Sequence, residues 1–397
     1  MPWKELQKMS LKLEFVERAS KPHANIARLC REYGISRETG YKWLRRYQKQ
    51  GYDGLQELSR RPASTPLATA EEIVLGVLQE RERHPRWGAV TLRGVLEGKY
   101  GKATPSVATI ARILRRAGKV RQRSRFRRLS IPAAAPRITA SRCNEVWTVD
   151  YKGWWRSRDR ARCEPLTVRD AFSRYVLAVK VMASPTGAEA RKVFEALFRR
   201  YGVPSMIQCD NGGPFINVQA RGGLTRLSAW WVSLGIKVLR SRPGCPQDNG
   251  AHERMHRDMA EDLQAEPAGS RAAQQRACDR WRLEFNHLRP HQALEGKVPA
   301  KVYKRSERRM RVCYPLYPSS WIVRRVTENG NIKIQNVSYA AGKALSGQRV
   351  ALQVIDEWTG RLWYFGVDLG TVKLEISDSE LDQAAERFFE MRLRKTG

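Results

Sequence analysis

The chain has 397 residues, with 73 lysines and arginines against 40 acidic residues, a formal net charge of +33 and a pI near 10.4. This length exceeds the usual size of one domain, so we expect roughly two to four domains. The arginine excess is interleaved with tryptophan and tyrosine, which favours nucleic acid as the partner over an anionic membrane surface.

Export and disulfide signals are not evident in the sequence. The amino terminus lacks the apolar stretch of a secretory signal, and no later run predicts a membrane span. The seven cysteines are scattered and include no C-x-x-C pair, so we expect neither disulfides nor a zinc finger.

Residues 1–60 predict a helix-turn-helix DNA-binding domain. The helical run IARLCREY ends at Gly34, and Ser36 is placed to cap a second helix, RETGYKWLRRYQ. An ordinary helical hairpin is the alternative. In the helix-turn-helix interpretation the outward side of the second helix contacts DNA. The expected contacts are Arg37, Thr39, Lys42 and Arg46.

Residues 68–122 predict a second helical DNA-binding domain. Three helical runs follow one another there, and Thr104 or Ser106 is placed to cap the last, VATIARILRRAGKV. The arginine-rich residues 123–142 have no periodicity and predict a basic linker along a DNA backbone, or alternatively a solvated hinge. The expected DNA contacts of the second domain are Arg112, Arg115, Arg116 and Lys119.

The rest of the chain predicts an α/β domain over residues 143–311 and a small β domain over residues 318–376. The first alternates apolar runs such as VWTVD and MIQCD with helices. The second has short alternating runs separated by turns at ENGN and DEWTG, typical of a small β-barrel of about five strands. Residues 377–397 predict a charged helical tail.

Three acidic residues in the α/β region are candidates for catalysis. Asp150 and Asp210 each end an apolar strand, and Glu253 lies just inside the helix that opens PQDNGAHE. Strand-end carboxylates face the sheet edge where ligands gather, and convergent carboxylates suit Mg²⁺ or Mn²⁺. Two such ions serve in-line phosphoryl displacement. Taken alone, a strand-end aspartate is more often a turn former or a helix cap.

The segments VDYKG, CDNGGPF and RPGCPQDNGAHERMH resemble the catalytic blocks of DDE transposases of bacterial insertion sequences, which have a retroviral-integrase catalytic core. NHLRPHQALEGKVPAKVY resembles the segment that follows their catalytic helix. The resemblance extends from the first helix-turn-helix through Tyr303. It implies a multidomain fold with N-terminal all-α helix-turn-helix units, a central α/β RNase H-like integrase core and a C-terminal small β-barrel.

The resemblance also implies a function and its cofactors. Asp150 would bridge two Mg²⁺ (or Mn²⁺) ions, while Asp210 and Glu253 would each complete one. The chain would be a transposase, a polynucleotidyl transferase that binds the terminal inverted repeats of a mobile element, cleaves the 3′ ends and transfers them to target DNA. The implied partners are double-stranded DNA and further copies of the chain assembled on it. The implied location is the bacterial cytoplasm, at the nucleoid.

Two features depart from the family's pattern. The interval between Asp210 and Glu253 is longer than is common, and the extra residues are assigned to a glycine-rich loop at NVQARGG. Many relatives carry Lys or Arg two turns after the catalytic Glu, where this chain has Ala260. Arg254 and Arg257 are therefore candidate DNA contacts in its place.

Other residues compete for the metal site. Asp170 also ends a strand, although the family treats that position as structural, and Asp248 and Glu261 are rivals of Glu253. His252 and His256 are spaced for zinc on one helix, yet no further His or Cys is placed to complete a zinc shell. His256 is instead expected to touch phosphate or water near the site.

Two other functions remain as alternatives. A catalytically silent DNA-binding regulator would retain the fold, and a metal-dependent nuclease would cut DNA without joining it. A phosphate-loop ATPase is excluded, since no G-x-x-x-x-G-K-[ST] motif occurs.

Overall fold

The computed structural model of the protein describes residues 3–57, 68–120, 139–242, 246–334 and 337–374. The chain divides into two compact units, Met1–Thr69 and Ala70–Gly397. Most of the expected basic linker and all of the expected charged tail lie outside the described residues. In the part that is described, no helix combines the length and the apolar character needed to cross a membrane.

The first unit is a bundle of three helices around a helix-turn-helix. Ser36 caps the third helix by accepting a hydrogen bond from the backbone N–H of Thr39, and Gly34 takes the positive φ of 64° that the turn requires. Trp43 and Leu44 turn inward against Phe15, so the outward side of the third helix is left for charged residues. The helices are α1 (Trp3–Ala19), α2 (Ile26–Glu32) and α3 (Arg37–Gln50).

The second unit begins with another three-helix bundle, which lies within residues 68–122. Ser106, and not Thr104, caps its last helix, through a hydrogen bond from the backbone N–H of Thr109. Leu92, Leu96 and Ile110 are fully buried at its centre. The helices are α4 (Glu71–Arg83), α5 (Ala89–Tyr100) and α6 (Val107–Arg116).

A six-stranded mixed sheet follows, with strand order β2-β3-β1-β5-β6 and with β4 paired to β3. The central strand β1 is antiparallel to β3 and parallel to β5. The strands are β1 (Val146–Tyr151), β2 (Trp155–Arg156), β3 (Arg162–Asp170), β4 (Val176–Met182), β5 (Met206–Cys209) and β6 (Lys237–Arg240). Trp147 and Trp231 are fully buried in its core, so the sheet is a rigid frame for residues at its edge. The helices around it are α7 (Gly187–Tyr201), α8 (Arg226–Ser233), α9 (Gly250–Met259), α10 (Arg271–His287) and α11 (Pro299–Val302).

The C-terminal region is all-β, but the small barrel expected there is not observed. Its strands form an open four-stranded antiparallel sheet, order β12-β11-β10-β7, and a separate β8-β9 hairpin. A barrel needs its first and last strands to pair. Here closure is replaced by packing, because the sheet shares its core with Leu224, Ala229 and Val232 of the α/β domain. The strands are β7 (Ile322–Arg325), β8 (Asn331–Ile334), β9 (Val337–Ala340), β10 (Arg349–Val354), β11 (Thr359–Tyr364) and β12 (Val367–Lys373).

Candidate active site

The sheet brings the two candidate aspartates to one edge. Asp150 is the penultimate residue of β1, and Asp210 directly follows β5. These strands are parallel neighbours, with Thr148 in register with Gln208, so their carboxyl ends emerge side by side. Glu253 lies in the first turn of α9, on its exposed side.

The three carboxylates interact electrostatically. Asp150 is half-buried, whereas Asp210 and Glu253 are exposed. Burial raises the pKa of Asp150 to about 7, and the negative charges of Asp210 and Glu253 add to this shift. The backbone N–H of Tyr151 acts in the opposite direction. A cation bound beside Asp150 would offset the negative charges of Asp210 and Glu253, and it would therefore favour the ionised form of Asp150.

The donor set fits a hard divalent cation. Carboxylate oxygens are the ligands that Mg²⁺ and Mn²⁺ prefer, and mutual repulsion among such groups is what a bound cation relieves. Gly212 leaves space beside the carboxylate of Asp210, because a Cβ at position 212 would lie 3.0 Å from Oδ2 of Asp210. Across the described ranges, no three His, Cys, Asp or Glu side chains form a ready-made metal cage.

The rival carboxylates are engaged elsewhere. Asp170 is buried and accepts hydrogen bonds from the backbone N–H groups of Asn144 and Ser173, and from the Ser173 hydroxyl. Asp248 forms a two-pronged ion pair with Arg242. Glu261 lies 3.4 Å from Nε of Arg86, on the second helical domain.

His252 and His256 are buried beneath the site and bind threonines. The expectation that His256 touches phosphate or water is wrong, because α9 turns this side chain inward onto β3. Oγ1 of Thr167 lies 2.6 Å from Nε2 of His252 and 2.7 Å from Nε2 of His256, while Nδ1 of His252 lies 2.8 Å from Oγ1 of Thr148. Burial lowers the pKa of both histidines, that of His256 to about 3. Both rings are therefore neutral at physiological pH.

One assignment of protons satisfies this cluster. A hydroxyl donates one hydrogen bond and accepts two, so Thr167 donates to the backbone carbonyl of Asp150 at 2.9 Å and accepts from Nε2–H of both histidines. His252 then accepts from Thr148 through Nδ1. Nδ1 of His256 retains its lone pair and lies 3.7 Å from Oδ2 of Asp150. The cluster thus ties α9, which carries Glu253, to the strand that carries Asp150.

Arg169 forms a second link between β3 and α9, and its role was not predicted from the sequence. It is buried, and its Nη1 donates to the carbonyl of Ala251 at 2.8 Å, one residue before His252. Burial lowers the pKa of its guanidinium to about 9. Neither this arginine nor the two threonines carries a recognisable motif, and the spacing of the histidines was the one available signal.

The glycine-rich loop that lengthens the interval to Glu253 packs on the C-terminal sheet. Nη1 of Arg221 donates to the carbonyls of Leu369 and Thr371 on β12. On the other side of the site, Arg254 and Arg257 are exposed on α9.

The expected DNA contacts of the two helical domains are mostly accessible. On α3, Arg37 and Lys42 are exposed, while Thr39 and Arg46 are half-buried. Arg112, Arg115, Arg116 and Lys119 are all exposed at the end of the second domain. Lys119 is 3.5 Å from Glu82, so part of its charge is already paired.

Comparison with known proteins finds four matches to domain families along the chain. Helix-turn-helix models match residues 11–63 and, as a homeodomain-like domain, residues 39–114. Integrase core domain models match residues 140–246 and residues 234–299. The integrase matches together include all three candidate carboxylates, and this family indicates polynucleotidyl transferase activity.

Individual proteins are similar to parts of the chain. The "IS476 uncharacterized 39.2 kDa protein" of an insertion element in Xanthomonas euvesicatoria is 26% identical over 252 residues, 62% of this chain and 68% of that protein. The Gag-Pol polyprotein of baboon endogenous virus is 28% identical over 189 residues, 48% of this chain but only 10% of the polyprotein. The structure of the HTLV-2 integrase catalytic core domain in complex with magnesium covers 41% of this chain and 99% of its own, at 18% identity and a TM-score of 0.31.

The domain matches and the insertion-element relative agree with the order of the domains along the chain. Helix-turn-helix units precede an integrase core, in which Asp150 and Asp210 lie at the carboxyl ends of two neighbouring parallel strands. The chain accordingly carries helix-turn-helix domains followed by an integrase core domain, and it is similar to proteins of bacterial insertion elements.

Proposed function

We propose that the protein is a DDE-type transposase. It binds the terminal inverted repeats of a mobile element, cleaves the 3′ ends and transfers them to target DNA by two-metal-ion phosphoryl transfer. The observation that carries this proposal is the placement of Asp150 and Asp210 at the carboxyl ends of the neighbouring parallel strands β1 and β5, with Glu253 in the first turn of α9. Asp170 is different in that its carboxylate accepts three hydrogen bonds inside the fold, although burial raises its pKa as well.

The three carboxylates would hold the ions, and the groups beneath them keep the carboxylates in place. Two bound Mg²⁺ or Mn²⁺ ions would neutralise charge on the attacking and leaving oxygens of the displaced phosphate. Asp150 is fixed through its backbone carbonyl by Thr167, and Glu253 is carried on a helix that His252 anchors. Such fixed geometry lowers the cost of aligning the reacting groups. The protein needs no nucleophile of its own, since water and then the freed 3′-hydroxyl would attack the phosphate.

The helical domains would position the DNA. In this proposal α3 and the end of α6 bind the terminal repeats, mainly through phosphates, and Arg254 and Arg257 contact the DNA end beside Glu253. Two element ends must meet, so several copies would assemble on DNA. The high positive charge would keep the protein at the bacterial nucleoid.

A strand-transfer assay tests the proposal. Purified protein is incubated with Mg²⁺ or Mn²⁺, with a labelled duplex of either end of its element carrying a free 3′-hydroxyl, and with plasmid target DNA. The proposal predicts labelled DNA joined to the plasmid. Cleavage without joining would indicate a nuclease, and binding without either reaction, with both element ends and both metals tried, would indicate a silent DNA-binding protein.

A further inference from the structure

A strongly basic hairpin projects from the core domain just beyond Asp150. We call residues 152–162 the arginine hairpin; it connects β1 to β3 through β2. Its sequence, KGWWRSRDRAR, has five cations and one acid. Asp159, the acid, is used internally, because it accepts hydrogen bonds from the Ser157 hydroxyl and from the backbone N–H of Ala161. With five cations and one acid, the hairpin keeps a formal charge of +4.

The hairpin holds like charges against each other. Arg156 on β2 stands directly opposite Arg162 on β3, an arrangement that costs free energy in an antiparallel pair. Both guanidiniums lie near the ring of Trp154, at 5.7 Å and 5.0 Å from its centroid, although this tryptophan is 52% exposed. Cation–π contacts offset part of the repulsion. An anion bound between the guanidiniums would relieve the rest.

Three arginines of the hairpin have no acidic partner in the described part of the chain. Arg162 is paired with Glu164. Exposed Arg156, Arg158 and Arg160 have no ion pair with any described residue, whereas three exposed cations of α7 do, namely Arg191, Lys192 and Arg199. Unpaired exposed arginines on a fixed scaffold are typical of a phosphate-binding surface.

The backbone of the hairpin is fixed before any ligand arrives. Its tip is tied to the loop before α10, since the backbone N–H groups of Arg158 and Asp159 donate to the carbonyls of Ala268 and Gly269 at 2.9 Å and 3.1 Å. Arg160 holds a positive φ of 65° in the turn. A rigid backbone reduces the entropy lost on binding, so the arginines are presented in advance.

The hairpin is also placed to reach DNA held at the carboxylates. Asp150 is opposite Thr167 on β3, and Arg156 is opposite Arg162 five residues away along the same strand. At about 3.3 Å per residue this separates the two pairs by roughly 17 Å. That distance is about five base-pair steps of B-form DNA, at about 3.4 Å each, and the odd number of residues places the Arg156 side chain on the other face of the sheet from Asp150, so the DNA would have to pass the end of the hairpin.

We propose that the arginine hairpin is a DNA-binding surface of the core domain, which contacts phosphates of the strand whose scissile phosphate lies at the carboxylates. Arg156, Arg158 and Arg160 make the phosphate contacts, and Trp154 keeps the guanidinium of Arg156 in position. This inference rests on the proposed function of that site. The strand can belong to the element end or to the target, since both pass through the same site.

The test compares salt dependence of DNA binding by the full-length protein and two triple variants of equal charge. One is Arg156→Gln/Arg158→Gln/Arg160→Gln. The matched control is Arg191→Gln/Lys192→Gln/Arg199→Gln on α7, where every cation removed is paired with an acid. Dissociation constants are measured between about 50 and 200 mM salt for an element-end duplex and for an unrelated duplex of equal length. Thermal unfolding of each variant confirms folding.

In a plot of the logarithm of the association constant against the logarithm of the salt concentration, the hairpin variant is expected to have a slope smaller in magnitude by about 2 to 3. Each lost phosphate contact accounts for roughly 0.9 of this change. The control is expected to lower the magnitude of the slope by less than about 1. Loss confined to the element-end duplex assigns the contacts to the element, and equal loss on both duplexes assigns them to any DNA at the site. Equal slopes for the hairpin variant and the control would overturn the inference. If the wild-type protein also failed to join DNA ends in the strand-transfer assay, the proposed function would fail as well. If the wild-type protein joined DNA ends but the two variants had equal slopes, only the role of the arginine hairpin would be refuted.

Discussion

Oγ1 of Thr167 lies 2.6 Å from Nε2 of His252, and this contact fastens the helix of Glu253 to the strand beside Asp150. The same hydroxyl also bonds His256 and the carbonyl of Asp150. Replacing Thr167 with valine keeps the shape and removes all three hydrogen bonds, leaving buried N–H groups unsatisfied. We expect Thr167→Val to destabilise the protein by about 2 to 4 kcal/mol in denaturant unfolding.

A threonine outside this cluster provides the control. Thr371 is exposed on β12, so Thr371→Val should leave the unfolding free energy within about 0.5 kcal/mol of wild type. If Thr167→Val behaved like this control, the cluster would not support α9.

The raised pKa of Asp150 predicts that stability falls with pH in metal-free protein. An unfolded aspartate has a pKa near 3.8 and the folded one about 7, so the folded state binds the proton more tightly than the unfolded state does. The stability from this group is complete below pH 4 and is lost as pH rises to 7. Asp150→Asn removes that loss, so at pH 8 it should stabilise the metal-free protein by about 2 to 4 kcal/mol.

Unfolding in chelator at pH 4 and pH 8 checks this expectation. The two proteins should have equal stability at pH 4, and the variant should exceed wild type at pH 8. Added Mg²⁺ should narrow the gap by stabilising wild type. If Asp150→Asn were less stable than wild type at pH 8, burial and the negative charges of Asp210 and Glu253 would not destabilise the ionised Asp150.

Asp170 and Asp210 both lie at strand ends, yet substitution should affect the stability of the protein at Asp170 and its activity at Asp210. Asp170→Ala leaves the buried N–H groups of Asn144 and Ser173 without an acceptor, so a loss of about 2 to 4 kcal/mol is expected. Asp210→Asn alters an exposed side chain and should change stability by less than about 0.5 kcal/mol while abolishing activity. Denaturant unfolding with the strand-transfer assay separates the two; a stable, inactive Asp170→Ala would place Asp170 in the metal site.

Two cations at the end of the second helical domain should contribute unequally to DNA binding. Arg112 is exposed on α6, whereas Lys119 lies near Glu82. Arg112→Gln is expected to lower the salt slope of terminal-repeat binding by about 0.9, and Lys119→Gln by less than half of that. Fluorescence anisotropy across a salt series measures both slopes, and a larger effect of Lys119→Gln would reverse this ranking.

Much of the architecture follows from local sequence patterns. Ser36 and Ser106 cap helices where a cap was expected, because capping depends on a side chain and the backbone three residues later. Strand-end positions of Asp150 and Asp210 follow from apolar runs alone. The open C-terminal sheet could not be foreseen, since its core is completed by Ala229 and Val232, which lie far before its first strand in the chain.

The support beneath the candidate site was the part least visible in the sequence. Thr148 and Thr167 read as ordinary strand residues, and Arg169 as one cation among many. Their roles arise from the register of β1 against β3 and from the side of α9 that packs on it. His256 was misplaced for the same reason, because helical spacing shows that two side chains share a face but not which way that face turns.

The most direct test of the central claim is the strand-transfer assay applied to matched acid variants. Asp150→Asn, Asp210→Asn and Glu253→Gln should each abolish joined products while retaining DNA binding. Asp248→Asn and Glu261→Gln, whose carboxylates pair with Arg242 and Arg86, should retain measurable joining. Joining that survives the loss of Asp150, Asp210 or Glu253, or that disappears with Glu261→Gln but not with Glu253→Gln, would contradict the assignment of these three carboxylates.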